Sequence, residues 1–108
     1  MNRVTINGNL TKDLSVIVGK GFTLANFTIA NNEGYGDNQK TNFVNCTIFG
    51  EKRIESLEKY LVKGCKVLIG GTLEIKTVEE GKGKNKEYKN YTNVIVDTLE
   101  IERFVGDK

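Results

Sequence analysis

Residues 3–10 alternate Val4, Ile6, Gly8 and Leu10 against Arg3, Thr5, Asn7 and Asn9, the two-residue period of a strand with one buried face. Gly19 and Gly21 punctuate a turn into residues 22–31, where Ala25, Phe27 and Ile29 share one side and Asn26 and Thr28 the other. A polar, glycine-bearing loop follows at 31–41. Residues 43–49 then carry Val44, Cys46 and Ile48 on one face and Phe43, Asn45, Thr47 and Phe49 on the opposite one. After Gly50 the period changes: Ile54, Leu57 and Leu61 recur at helical spacing, and Gly64 ends a helix of about twelve residues. A fourth strand is expected over 66–78 and a fifth over 88–102, joined by a long hairpin with the lysine-rich segment 79–87 at its tip. Gly70-Gly71 marks a bulge, or the sharp coiling that closing a barrel demands.

Five strands with one short helix between the third and fourth is the order of an OB-fold, a small all-β Greek-key barrel. With 108 residues and no linker or repeat, the chain reads as one domain over 1–105 followed by a short remnant at 106–108. Proline is absent, so the turns depend on glycine and asparagine.

Phe43 and Phe49 change the picture from fold to chemistry. The strand's core stripe is already complete with Val44, Cys46 and Ile48, so two large rings on the other face need a separate reason. Rings spaced along a polar surface, here with Asn45 between them, suit nucleobases, because every base has a π-face. Burial under a loop or in a subunit contact explains them equally well from this strand alone. Tyr35 stands between two glycines in the preceding loop, where a ligand could approach closely. In the hairpin, Lys76, Lys82, Lys84, Lys86 and Lys89 interleave with Tyr88 and Tyr91, a pattern of binding arms and also of solvated hairpins. Arg3 shares a polar strand face with Thr5 and Asn7, within reach of a phosphate.

Charge and reactive groups narrow the function. Sixteen basic and fourteen acidic residues give a formal charge of +2, which excludes a uniformly basic DNA-coating protein. Any nucleic-acid site must come from local segregation of charge, and in the hairpin five lysines against Glu79, Glu80 and Glu87 leave a modest excess. There is no histidine, so the commonest general base and zinc ligand is missing. Gly81-Lys82-Gly83-Lys84 lacks the Gly-Lys-Ser/Thr ending of a phosphate loop and reads as a hairpin tip. Cys46 and Cys65 are too few for a metal or redox signature, and Cys46 belongs to a core face. The expectations are therefore no enzyme activity, no catalytic residue, no metal and no cofactor. Without a basic-apolar leader or a bilayer-length apolar run, the chain reads as cytoplasmic, with no membrane partner. The Asn-x-Thr matches at Asn9, Asn26, Asn45 and Asn90 then carry no weight.

Several segments in register resemble one family. Met1-Asn2-Arg3-Val4 with Gly8-Asn9-Leu10-Thr11-Lys12-Asp13, then Leu24–Ala30, Phe43–Gly50, Leu57–Gly64 and Val67–Leu73, are similar to the bacterial single-stranded DNA-binding proteins. The resemblance covers residue 1 to about residue 104. It implies an OB-fold that binds single-stranded DNA without strong sequence preference during replication, recombination and repair, usually as a homotetramer, with a dimer the smaller alternative. It also implies base stacking at Tyr35, Phe43 and Phe49, and basic contacts from Arg3 and the hairpin lysines. Two departures stand out. Val78 occupies a position where the family often has a ring, so a stacking platform is missing or has moved to Tyr88. The family's acidic, apolar-ended tail has no counterpart before Lys108, which puts tail-mediated recruitment of replication and repair enzymes in doubt and leaves two readings, a longer chain truncated here or a short form such as a phage or mobile-element version. The competing readings are a protein-interaction or primosome-type OB domain, in which the rings anchor an interface, and an RNA-binding OB domain.

Overall fold

The computed structural model describes residues 1–81, 83 and 87–105. Its strands are β1 (Val4–Leu10), β2 (Ser15–Gly19), β3 (Phe22–Glu33), β4 (Lys40–Phe49), β5 (Lys66–Glu80) and β6 (Glu87–Arg103), with α1 (Glu51–Leu57) between β4 and β5. β1 pairs with β5 through Val4–Asn9, and its last two residues, Asn9 and Leu10, pair with Ala30 and Ile29 of β3. β3 pairs along β4, and β5 pairs along β6. β4 and β6 meet in parallel at Cys46–Val94 and Thr47–Ile95. The ring β1-β5-β6-β4-β3 is therefore closed, a five-stranded barrel in the order expected of an OB-fold.

β2 is the strand that the residue pattern does not mark. It lies on the same edge of β3 as the end of β1 and runs in the same direction, with Leu10 opposite Ile29 and Ser15 opposite Asn26. Five steps on the first chain thus match three on β3, so β1 and β2 are one long first strand interrupted at 11–14. The interruption is pinned by backbone bonds from Thr11 to Thr28 (2.9 Å) and from Leu14 to Leu61 (2.9 Å). Asp13 Oδ1 accepts from the Lys63 N–H at 2.8 Å. Val16-Ile17-Val18 is apolar without alternation, which is why periodicity passed over it.

The core collects the inward positions of every wall: Leu10, Phe27, Ile29, Ile48, Val67, Ile69 and Val94 are all at most 5% exposed. Burial of this kind contributes roughly 1.5–3 kcal/mol for each large side chain. Ile54 and Leu61 cap one end of the barrel. The helix itself is shorter than the spacing predicts, seven residues, with turns at 58–60. Leaving the helix lets Leu61 enter the core while its carbonyl accepts from Leu14 N. Gly64 therefore does not terminate the helix as expected; at φ +92° it lies in the turn that leads into β5.

The glycine pair in β5 does mark an irregularity: the β5–β6 register shifts between Gly70 and Gly71. A side chain on Gly71 would run into the Ile95 carbonyl across the ladder. Beyond this bend the β5–β6 hairpin stands off the barrel, with Ile75, Val78, Tyr88 and Tyr91 all exposed. The Cα radius of gyration of 16.0 Å reflects that arm, against about 13 Å for a compact 100-residue domain. Cys46 and Cys65 are free and buried, and burial pushes the Cys46 thiol up to about 12. Cys46 thus fills space as a neutral thiol.

Candidate nucleic-acid interface

The outer surface of the β3–β4 pair is built as cross-strand rows. Ala30 faces Phe43, Thr28 faces Asn45, Asn26 faces Thr47 and Leu24 faces Phe49. Small Ala30 leaves the Phe43 ring 68% exposed, and Phe49 is 50% exposed. The two rings are six residues apart on one face, about 20 Å along a strand. Neither touches another ring among the described residues, where Tyr60 and Phe104 form the one recorded pair.

Between the rings the rows are hydrogen-bonded. The Thr28 hydroxyl donates to Asn45 Oδ1 at 2.9 Å, and the Thr47 hydroxyl donates to Asn26 Oδ1 at 2.8 Å. Thr47 also accepts from Asn93 Nδ2 of β6 at 2.9 Å, which ties the two walls at their parallel seam. Thr47 is only 6% exposed, so its hydroxyl is a structural hub. With their carbonyl oxygens used, Asn26 and Asn45 keep exposed amide N–H groups that have no protein acceptor among the described residues. They open into a cleft of about 350 Å³ between this face and the interruption of the first strand, lined also by Thr11, Lys12, Asp13 and Asn93. Lys12 is exposed and has no ion-pair partner among the described residues. Fixed amide donors, flat rings and a free cation together suit base edges, base faces and phosphate.

The other expected residues divide. Tyr35 stands 91% exposed at the tip of the β3–β4 connection, where its carbonyl accepts from Asn38. Tyr91 continues the outward face of β6 that bears Asn93, and shares it with Val78, Lys76 and Lys89. Tyr88, opposite Glu79, lies on the other face of the hairpin. A ring at Tyr88 therefore does not stand in for one at Val78; Tyr91 is the ring on that side. Local acids hold this arm: the Tyr91 hydroxyl donates to Glu80 at 3.1 Å, Lys89 pairs with Glu80 at 3.1 Å and Lys76 with Glu74 at 3.6 Å. Arg3 is set apart from the rings. Its guanidinium grips Asp97 with bonds of 2.8 and 2.6 Å. Lys82, Lys84 and Lys86 lie outside the described residues.

Lys12, Asn26, Thr28 and Asn93 escaped the sequence reading. Asn26 and Thr28 could have been found, because they oppose the two polar residues between the rings once β3 and β4 are paired as a hairpin. Lys12 could not, since it reaches this face only through the irregular 11–14 segment.

The closed five-stranded barrel with its helix α1 is an OB-fold, and one wall of it presents rings and amide donors. A sequence profile described as the Single-strand binding protein family matches residues 1–102, and the chain belongs to that family. It is 31% identical over 106 residues to the single-stranded DNA-binding protein of Borreliella burgdorferi, covering 94% of this chain and 69% of that one. It is 35% identical over 88 residues to the single-stranded DNA-binding protein of Bacillus cereus, covering 78% of this chain and 51% of that one. The chain thus spans about half to two thirds of the length of these relatives. Among solved structures, the Plasmodium falciparum SSB in complex with ssDNA superposes with a TM-score of 0.79 at 21% identity, covering 95% of this chain and 96% of that one. That likeness confirms the barrel.

Proposed function

We propose that this protein binds single-stranded DNA with little sequence preference, laying bases on Phe43, Phe49 and Tyr35 and phosphates near lysines at the rim. The observation that carries the reading is the β4 face: two uncovered rings flank a row of hydrogen-bonded amides on a strand whose other side is fully committed to the core. The names of the relatives agree with it. Asn45 and Asn26 offer donors to base edges, and Tyr91 extends the surface along the hairpin. Lys12 lines the cleft beside Asn26 and Asn45 with no ion-pair partner among the described residues, whereas Lys76 and Lys89 must first exchange their glutamate partners for phosphate. Arg3 serves a phosphate only by sharing its guanidinium with Asp97, and Tyr88 serves as a platform only for DNA that wraps round the arm. Such a protein acts as a binder rather than an enzyme, shielding exposed strands in the cytoplasm during replication, recombination and repair. Assembly as a homotetramer would set several such faces on one particle. Among the described residues no helix is long and apolar enough to cross a membrane.

Anisotropy titration of labelled oligo(dT), duplex DNA and oligo(U) over a salt series tests the proposal. Tight binding of oligo(dT) that weakens with salt, and weaker binding of duplex, is the expected result. No binding at low salt, or preference for duplex, refutes it and leaves the rings as anchors of a protein interface.

A further inference from the structure

We infer that Phe22 and Phe49 line one base-holding slot, so that the DNA path extends past Phe49 onto the β2–β3 hairpin. The inference rests on the proposed single-strand binding. Phe22 is the first residue of β3, 49% exposed, and shares the outward face of Leu24, whose cross-strand partner is Phe49. Phe22 is therefore the diagonal neighbour of Phe49, and diagonal positions in an antiparallel pair lie about 7–8 Å apart. The Phe22 ring leans over Gly19 on the β2 side of β3 and makes no ring contact with Phe49 among the described residues, which leaves the space between the two rings open.

Phe22 and Phe49 both line a groove of about 610 Å³, bounded also by Val18, Thr23, Gly50 and Glu51. That volume is ample for one nucleotide on the scale of about 300–1,000 Å³ typical of small-ligand sites. Leu24 and Ile17, paired across β2 and β3, continue the apolar row beside Phe49. Exposed Lys20 sits at the hairpin turn, positioned for the phosphate of a base held in the slot. Glu51 on the helix side repels phosphate, which directs the backbone toward Lys20. The groove is continuous with the Phe43–Phe49 face through Phe49 itself. A nucleotide is thus the occupant that matches the two exposed rings, the adjoining cation and the continuity together.

The test compares wild type, Phe22→Ala, Phe22→Trp and Phe43→Ala for binding of a labelled oligo(dT) long enough to span the whole face. Phe22→Ala should bind about tenfold more weakly at constant salt slope, and Phe22→Trp should restore affinity. In parallel, ultraviolet cross-linking of wild type to the oligonucleotide with mass spectrometry should place an adduct on Phe22. If Phe43→Ala weakens binding while Phe22→Ala does not, the slot is overturned and the single-strand reading stands. If no variant changes affinity, both fall. Loss of assembly in sedimentation without loss of binding assigns Phe22 to a contact between copies and overturns the slot. Should Phe22→Ala fail to fold, absence of a Phe22 adduct in wild type overturns it alone.

Discussion

Phe43 and Ile48 stand on opposite faces of one strand, and truncating each to alanine should separate binding from folding. Phe43 is 68% exposed, so about a third of its ring surface is covered. A phenylalanine covers roughly 200 Å² when fully buried, so about 65 Å² is at stake, and at 25 cal/mol/Å² this is about 1.6 kcal/mol as an upper limit. The alanine retains part of that contact, which leaves a stability loss near 1 kcal/mol. A base stacked on the ring is worth roughly 1–3 kcal/mol in single-strand binding proteins as a class, so Phe43→Ala should weaken oligo(dT) binding by about five- to 150-fold. Because no charge is removed, the slope of log K against log salt should not change. Ile48 is 0% exposed in the core, and Ile48→Ala should cost about 2–5 kcal/mol of stability. Affinity per folded molecule should survive that second change. Anisotropy titrations at four salt concentrations, with urea unfolding of each variant, measure both quantities. The reasoning is refuted if Phe43→Ala binds normally, or if it unfolds as readily as Ile48→Ala, since the ring would then belong to a packed or intersubunit contact.

Thr47→Val should lose about 1–3 kcal/mol of stability in urea, because it leaves the Asn26 carbonyl without its donor and the Asn93 amide without its acceptor at the β4–β6 seam. Lys12→Gln should flatten the salt slope by about 0.7, the value for one phosphate neutralised on a single strand, whereas Arg3→Gln should change it less because Asp97 already neutralises that guanidinium. The Cys46 thiol should resist a thiol reagent at pH 8 until the protein unfolds. Its folded value, about 12, lies above the ordinary 9.0, so the stability it confers is complete below pH 9 and is lost as pH rises from there to about 12, where the unfolded chain releases a proton that the folded one keeps. Alkaline unfolding of Cys46→Ala should begin from a lower stability and fall less steeply across that window.

Alternation alone fixed most of the barrel walls, because a strand with one face in the core must repeat every two residues; Val44, Cys46 and Ile48 could only be the inner set, and Phe43 and Phe49 the outer. The glycine pair itself marked the bulge at Gly70-Gly71, where the approach of the Ile95 carbonyl leaves no room for a side chain. Propensity and period could not resolve β2, whose Val16-Ile17-Val18 run is strand only because the edge of β3 is there to receive it. Nor could they shorten the helix, since Ile54, Leu57 and Leu61 keep helical spacing while the chain leaves the helix to bring Leu61 inward. The site divides along the same line. A sequence names rings and lysines; only register decides which of them share a surface. Pairing put Tyr91 with Val78 and Tyr88 on the far side, handed Lys76, Lys89 and Arg3 to nearby carboxylates, and brought Lys12, Asn26 and Phe22 to the aromatic wall. Those are contacts between residues distant along the chain, and closure of the barrel is what creates them.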